Sequence, residues 1–241
     1  MQGYHQEPQG AQRVERGYSP RGELHTGVQQ FMAGVYAWMA AGLGVTTLVV
    51  AGVASSPAAI QAIYGTPLRW VALFVPVIMA WVLPGRIPNM SRGMAVAMFM
   101  IFAAAMGAMV SYVPLVYTGA SILGAVGTAV GVYAVMGVFG FVTKRDLSGM
   151  GQFLLMAIFG AFIASFINFF LLQSSGLSFA ISLIFAIACA GLTAYYNQAL
   201  KQLYMMHGGA GNLAINGALA LYVNFINLVL SLLRLFGSSR D

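Results

Sequence analysis

The chain has 241 residues, of which 60% are apolar and only 7% are charged, and its formal net charge is +6. Because an ordinary soluble domain carries about 25% charged residues, this composition excludes a soluble enzyme and indicates a protein that lies in lipid. The Lys and Arg residues are too sparse for a phosphate-binding surface, so nucleic acid is excluded as a partner. The single cysteine, Cys189, excludes a disulfide or a multi-cysteine metal site, and no cofactor is indicated.

The first 26 residues are rich in Gln, Gly, Arg, Glu and Pro and contain almost nothing apolar to bury, which predicts a disordered tail over 1–26. This tail lacks the apolar core of a signal peptide, so we expect the first hydrophobic segment to be retained as a helix. Residues 27–241 form the predicted membrane domain.

Gaps between charged residues divide the membrane domain into helices. An ionisable side chain at the bilayer centre is costly, and a single crossing needs about 20 apolar residues. Three stretches without Asp, Glu, Lys or Arg are each long enough for two crossings, and Pro, Gly and Ser clusters interrupt all of them: 24–68, 93–143 and 147–200. The sequence therefore predicts an all-α bundle of seven transmembrane helices, over 29–51, 68–84, 93–112, 119–142, 151–172, 177–200 and 212–236.

The distribution of Lys and Arg predicts the orientation of the bundle. Basic residues occur in the second, fourth and sixth loops, at Arg86, Arg92, Lys144, Arg145 and Lys201. Since cytoplasmic loops carry the excess of Lys and Arg, we expect a multi-pass protein of the inner (plasma) membrane with a cytoplasmic N-terminus. Basic residues at the C-terminal end, Arg234 and Arg240, leave a re-entrant last segment as an alternative to a full crossing.

Polar residues recur along one face of the seventh predicted helix and lie within an arc of about 80°: Asn216, Asn224, Asn227, Ser231 and Arg234. Such a face cannot lie against lipid without unsatisfied polar groups, so we expect this helix to be surrounded by protein or to face a water-filled cavity. The sixth helix has a matching polar face, at Ser182, Cys189, Thr193, Tyr196 and Asn197. The two faces either form interhelical hydrogen bonds that only hold the bundle together, or line a gated pathway.

Small residues predict close helix packing in two places. The fourth helix places Ala120, Gly124, Gly127 and Gly131 on one face, and small residues allow backbones to approach closely in lipid. The third helix has a similar patch at Ala104, Gly107 and Ala108.

The acidic residues limit the chemistry of the predicted spans. All five of them lie outside the predicted helices, at Glu7, Glu15, Glu23, Asp146 and Asp241. Calcium is held by carboxylate and carbonyl oxygens, so neither a strong calcium site nor a carboxylate proton relay is expected within the membrane. Hydrolase motifs such as GxSxG and HExxH are also missing from the sequence, and we expect no enzymatic activity.

Several sequence motifs resemble the Bax inhibitor-1/YccA family, also called transmembrane Bax-inhibitor-motif proteins. They are VYTGASI at 116–122, TKRDLSGMGQFLLM at 143–156, FINFF at 166–170, GLTAYYNQ at 191–198 and LYVNFINLVLSLLRLFG at 221–237. The resemblance covers about 28–241 and keeps the order and spacing of the motifs. It implies a seven-helix fold in which the last, semi-hydrophobic helix is central and wrapped by the other six.

The resemblance also implies functions. The family is associated with pH-sensitive calcium leak and with cell-death or stress control, and some bacterial members with restraint of a membrane-bound ATP-dependent protease. The leak depends on two aspartates, in TAYDTQ-type and LYLDF-type motifs, because close carboxylates that share a proton respond to pH. This sequence has Tyr196 and Asn224 at those positions, so the proton-operated switch is absent. A basic residue often accompanies the pair, and Arg86 is the nearest candidate.

Two hypotheses follow. In the first, the chain is a calcium-type leak scaffold in which a neutral hydrogen bond between Tyr196 and Asn224 closes the pathway. Weak cation passage or an interhelical network would then involve Thr193, Asn197, Asn216, Asn227, Ser231 and Arg234. In the second, the chain does not transport and instead regulates a membrane-bound ATP-dependent protease or another membrane complex, with the lipid bilayer as its common environment.

Overall fold

The computed structural model of the chain describes residues 20–240, with side chains from Thr26 onward. In this part of the chain the only extended pairing is an isolated antiparallel bridge between Tyr117 and Ser239. Seven of the described helices are long and apolar enough to cross a membrane, which confirms the predicted all-α seven-helix bundle. With two short helices between them, the bounds are α1 Pro20–Ala54, α2 Pro57–Tyr64, α3 Leu68–Arg86, α4 Arg92–Val110, α5 Val113–Val116, α6 Gly119–Val142, α7 Ser148–Ile167, α8 Ser175–His207 and α9 Leu213–Phe236.

The first helix begins within the segment predicted as a tail. α1 starts at Pro20, whereas its membrane-capable part is Thr26–Ala54, so the helix extends ahead of its apolar stretch. Residues 1–19, the rest of the predicted tail, lie outside the described residues.

The connection between the first two predicted spans contains the short helix α2. Ser56 caps this helix by accepting a hydrogen bond from the Ala59 N–H at 3.3 Å. At the other end, the Tyr64 hydroxyl donates to the Ala108 carbonyl at 2.9 Å. The Tyr64 bond fixes α2 against the end of α4.

α9 lies at the centre of the bundle. In its most apolar 18-residue window 56% of the residues are buried, against 17% in the windows of α1, α3 and α7. It packs mainly against α8, α1 and α6. Its 24 residues form an uninterrupted helix about 36 Å long, which is enough to cross the hydrocarbon core once. The predicted central position of a semi-polar C-terminal helix is confirmed.

The small-residue face predicted on α6 does not pack against the bundle. Gly124, Gly127 and Gly131 are exposed, and a Cβ atom at any of them would meet nothing within 4 Å. The buried face of α6 starts at Ala125, one residue after Gly124. Because successive residues of a helix point about 100° apart, this face is not the predicted one. That face consists of Ala125, Ala129, Tyr133, Gly137 and Gly140. Both faces of α6 contain small residues that allow close packing. The structure buries the face that includes Tyr133.

Close helix packing occurs instead at Gly140 and Gly107. A Cβ atom at Gly140 would collide with the backbone of Ala194, so α6 and α8 touch there without an intervening side chain. A Cβ atom at Gly107 would lie 2.8 Å from Val49 Cβ and 2.9 Å from the Thr46 carbonyl oxygen. The packing predicted for the small patch of α4 is therefore confirmed, and its partner is α1.

Candidate functional site

Asn224 is the polar centre of the bundle. Its side chain is 4% exposed, and its amide nitrogen donates to the Tyr133 hydroxyl at 2.8 Å, the Cys189 carbonyl at 2.9 Å and the Thr193 hydroxyl at 3.0 Å. Because no water in the hydrocarbon core can satisfy a polar group, a buried amide needs partners within the protein. These bonds tie α9 to α6 and α8 at one level. We call Tyr133, Thr193 and Asn224 the central cluster.

The geometry assigns the protons of the central cluster. The Tyr133 hydroxyl donates to the Leu221 carbonyl at 2.8 Å, and the Thr193 hydroxyl donates to the Cys189 carbonyl at 2.9 Å. A hydroxyl has only one proton, so both present lone pairs to Asn224. The two protons of the Asn224 amide nitrogen are shared among these two hydroxyls and the Cys189 carbonyl. A carboxylate at position 224 would have no proton to donate and would face three oxygen atoms.

Two amide oxygens of α9 lack a partner within the described part of the chain. Oδ1 of Asn224 and Oδ1 of Asn216 are buried and accept no hydrogen bond from any described residue. An unpaired buried acceptor costs about 1–3 kcal/mol, and native structures contain few of them. The central cluster therefore retains one free acceptor for a hydrogen-bond donor or a cation.

A second polar contact lies next to the central cluster. Tyr36 on α1 donates from its hydroxyl to Asn197 Oδ1 at 2.9 Å, and Asn197 Nδ2 donates to the Thr193 carbonyl at 2.8 Å. Thr193 is thus shared, because its side chain contacts Asn224 and its carbonyl contacts Asn197. Through this residue, polar contacts connect α1, α8 and α9.

The predicted hydrogen bond between Tyr196 and Asn224 is not formed among the described residues. Tyr196 is half-buried on α8, with its ring centroid 5.6 Å from that of Tyr195. Thr193 is the α8 side chain level with Asn224, and Tyr196 lies almost one turn further along the helix. The phenol that meets Asn224 belongs to Tyr133 on α6 instead.

The remaining residues of the predicted polar face do not converge. Ser231 is buried and donates to the Asn227 carbonyl of its own helix at 2.7 Å, whereas the Asn227 side chain is half-buried. Arg234, in the last turn of α9, and Arg86, at the end of α3, are both exposed. In the described chain neither arginine forms a hydrogen bond with the central cluster. Of the polar side chains on this face of α9, only that of Asn224 forms hydrogen bonds with another described helix.

Sequence reasoning missed the two tyrosines that complete the site, Tyr133 and Tyr36. Each lies inside an apolar helix, where a phenol hydroxyl must find a hydrogen-bond partner. That requirement was a usable signal, but the sequence does not show which of several polar groups the hydroxyl reaches.

The site carries no formal charge. The seven membrane-capable helical segments contain no Asp or Glu, and the described residues include no group of three or more His, Cys, Asp or Glu that could hold a metal ion. The groups that remain for a ligand are amide, hydroxyl and carbonyl groups. Such a site can accept or donate hydrogen bonds and contact a weakly held cation.

Comparison with known proteins gives matches over nearly the whole membrane domain. A family model described as "Inhibitor of apoptosis-promoting Bax1" matches residues 28–241. The inner membrane protein YbhL of Escherichia coli K12 is 38% identical over 220 residues, which cover 89% of this chain and 94% of the relative. A protein of Deinococcus radiodurans is 40% identical over 223 residues, with 89% and 92% covered. YrjE of Lactococcus lactis is 38% identical over 218 residues, with 88% and 92% covered.

Proposed function

Because this chain belongs to the Bax inhibitor-1 family, we propose that it is a leak protein for a calcium-type cation whose pathway is held closed by uncharged hydrogen bonds. The observation that carries this proposal is the Asn224 amide, which donates to groups on both α6 and α8. We place the protein in the inner membrane with a cytoplasmic N-terminus, as the basic loop residues favour.

The chemistry of the central cluster supports low leak without pH control. Asn and Thr side chains do not titrate near neutral pH, and an ordinary tyrosine ionises only near pH 10. No proton equilibrium around neutrality therefore changes the hydrogen bonds of Asn224, Thr193 and Tyr133. The free acceptor, Asn224 Oδ1, supports residual cation passage because it can contact an ion that displaces the neighbouring bonds.

Calcium flux into liposomes tests this proposal. The purified wild-type protein should give a small flux that is equal, within error, between pH 6 and pH 8. The double variant Asn224→Asp plus Tyr196→Asp should give a larger flux that changes across this range, because a carboxylate at 224 cannot donate to Tyr133 and Thr193 as the amide does.

Asn227→Asp is the matched control, because it adds a carboxylate to the same helix three residues from Asn224, and the Asn227 side chain is not part of the central cluster. It should leave the flux at the wild-type level. A wild-type flux that rises and falls sharply around neutral pH would contradict the closed neutral pathway. The absence of flux from both the wild type and the double variant would remove the transport function.

A second candidate function is a non-transporting regulator that binds a membrane-bound ATP-dependent protease or another membrane complex. The extension of α1 ahead of its apolar span favours it, because the helix begins at Pro20 and the span at Thr26. This segment can present a contact surface at the membrane border on the side that also carries Lys144 and Lys201.

Crosslinking in native membranes tests the regulator. The full-length chain and a variant that lacks residues 1–25, which removes the extension of α1 ahead of its span, are captured from these membranes. The bound proteins are identified, and the degradation rate of a membrane substrate is measured. The regulator predicts one partner that depends on the N-terminal segment and a changed degradation rate. Recovery of no partner with either form, or an unchanged rate, would contradict it.

A further inference from the structure

A lateral crevice of ≈530 Å³ lies between α1 and α6, within the size range of small-molecule pockets. Asn197 of α8 and Phe225 of α9 contribute to its lining. The walls are almost wholly apolar and include Met39, Leu43, Val130, Ala134 and Phe141. Val130 is 54% exposed, so the crevice opens sideways, toward the lipid.

A smaller basic pocket of ≈180 Å³ lies at the adjoining end of α6. Three cations contribute to its lining, Lys144, Arg145 and Lys201, with one anion, Asp146. Hydrogen bonds from Ser148 lower the pKa of the Asp146 carboxyl, so this group is ionised at neutral pH and the lining keeps a net positive charge. A polar pocket of this charge fits an anion.

Two hydrogen bonds of Gln198 fix the shape of the basic pocket. The Gln198 side chain is 7% exposed, accepts from the Leu147 N–H at 2.8 Å and donates to the Arg145 carbonyl at 2.8 Å. The loop between α6 and α7 is thereby held against α8. Two cations of the pocket, Lys144 and Arg145, therefore project from an anchored loop, and the third, Lys201, projects from α8.

Lys201 connects the basic pocket to the crevice. Its ammonium donates to the Phe141 carbonyl at 3.0 Å and lies 4.8 Å from the centroid of the Phe141 ring. Phe141 lines the crevice, and Lys201 lines the pocket. Because an ammonium has three protons, two remain for a further acceptor at the junction.

We propose that the crevice and the basic pocket together bind one anionic phospholipid, with an acyl chain in the crevice and the phosphate group against Lys201 and Lys144. An apolar slot that opens into lipid suits an acyl chain, and the positive pocket at its end suits a phosphate that carries net negative charge. Basic pockets between transmembrane helices on the cytoplasmic side bind such head groups. A zwitterionic lipid would bring its own cation toward these lysines, and a partner helix would leave them unpaired.

An acyl chain in the crevice would lie against the hydrogen bond between Tyr36 and Asn197. Tyr36 and Asn197, whose side chains form a hydrogen bond, both line the crevice. An acyl chain there covers this hydrogen bond and keeps it out of contact with other polar molecules.

Native mass spectrometry of the purified full-length protein tests the site, with dioleoyl phosphatidylglycerol, dioleoyl phosphatidylcholine and inorganic phosphate as probes. The wild type should retain one phosphatidylglycerol in preference to phosphatidylcholine. Lys144→Gln plus Lys201→Gln should reduce that preference about 30-fold, because two cations near an anionic head group are lost. Arg92→Gln, which removes an exposed cation outside both pockets, should leave the preference unchanged.

A second pair of variants tests the crevice. Ala134→Trp places a large side chain in the crevice and should reduce phosphatidylglycerol retention, whereas Val135→Trp, at a neighbouring exposed position outside the crevice lining, should not. If the double lysine variant fails to fold, Lys144→Gln alone, at an exposed loop position, should still lower the preference.

Four results would overturn the proposal: equal retention of both lipids, unchanged retention in Ala134→Trp, an unchanged preference in the lysine variants, or competition by inorganic phosphate alone that displaces the lipid. A photoreactive benzoylphenylalanine at position 138, an exposed position of the crevice lining, distinguishes bound lipid from bound protein in native membranes. A lipid adduct supports the proposal, and a protein adduct in its place contradicts it. None of these measurements depends on ion flux, so the lipid site stands or fails independently of the proposed leak.

Discussion

Two polar contacts of α9, centred on residues only two apart, have opposite properties. The Tyr222 hydroxyl lies 2.6 Å from Thr46 Oγ1, and its ring meets Phe99 and Phe102 edge-on, with centroids 5.8 Å and 5.7 Å away. Asn224 points to the other side of the helix, where it forms hydrogen bonds with α6 and α8. One contact is an aromatic core with a hydroxyl pair, and the other is a polar network.

The difference lies in how completely each contact satisfies its atoms. The Tyr222 hydroxyl can donate to Thr46, which in turn donates to the Ala103 carbonyl at 2.9 Å, so every proton has an acceptor. Asn224 leaves its own oxygen unpaired within the described chain. A contact that served only stability would pair all of its buried polar atoms, because each unpaired one costs free energy. We therefore propose that the Tyr222 side of α9 serves structural cohesion and that the Asn224 side serves the proposed function.

The largest expected effect is that of Tyr222→Ala, which removes a fully buried ring between Phe99 and Phe102. We expect a loss of about 3–5 kcal/mol in the free energy of unfolding, as for other buried aromatic residues. Tyr222→Phe keeps the ring and should cost only about 1 kcal/mol for the hydrogen bond to Thr46. Thermal denaturation in detergent measures both. Equal losses would show that the hydroxyl, and not the aromatic core, holds this side of α9.

The next effect is that of Gly140→Ala, because the added methyl group would collide with the Ala194 backbone and push α6 away from α8. We expect a loss of about 1–3 kcal/mol, typical of overpacking, and a weaker contact between Tyr133 and Asn224. Gly131→Ala is the matched control, since it adds the same group at an exposed position with nothing within 4 Å. It should be neutral or slightly stabilising in the same melting assay.

A smaller loss is expected for Asn224→Leu. The Tyr133 and Thr193 hydroxyls keep their carbonyl acceptors, and interhelical hydrogen bonds in membranes are worth about 0.6 kcal/mol each on average. The change should therefore cost about 1–2 kcal/mol in thermal denaturation. A loss as large as that of Tyr222→Ala would mean that the central cluster is structural, which would remove the contrast between the two sides of α9.

The smallest effect is expected for Asn216→Leu. This substitution removes the second buried oxygen that lacks a partner within the described chain, so the lost amide is offset by the relief of an unsatisfied acceptor. The melting temperature should stay at the wild-type value or rise slightly. A clear fall would indicate that Asn216 forms a bond essential to the fold, and that unpaired oxygens on α9 do not mark functional positions.

Much of the fold could be predicted because lipid imposes simple rules. Charge gaps and Pro, Gly and Ser clusters located all seven spans, and the predicted helix at 119–142 matches Gly119–Val142 of the structure. The polar face of the last helix predicted that this helix is shielded from lipid, and the family resemblance implied that it is central. The same rules failed for Gly124 and Gly127, since small residues tolerate exposure to lipid as well as close packing, and composition does not distinguish these environments.

The candidate site was only half predictable. Asn224 and Thr193 were found from their helical spacing, and the structure brings them to 3.0 Å from each other. The spacing did not predict Tyr133 or Tyr36. The predicted contact between Tyr196 and Asn224 is wrong, because the position of Tyr196 relative to α9 depends on where α8 and α9 touch. Spacing within a helix gives the face of a residue, but not the neighbour that the face meets.

The amino-acid sequence by itself determined that this chain lies in lipid, crosses it with seven helices and keeps acidic groups out of its interior, because the cost of burying charge acts on each residue locally. Only the tertiary structure decided which hydroxyls accept hydrogen bonds from Asn224, which face of α6 turns inward and where a crevice opens beside α1. Those outcomes depend on the close approach of segments that are distant in sequence, such as Gly140 and Ala194. The steric fit between two helices cannot be predicted from the sequence of either helix alone.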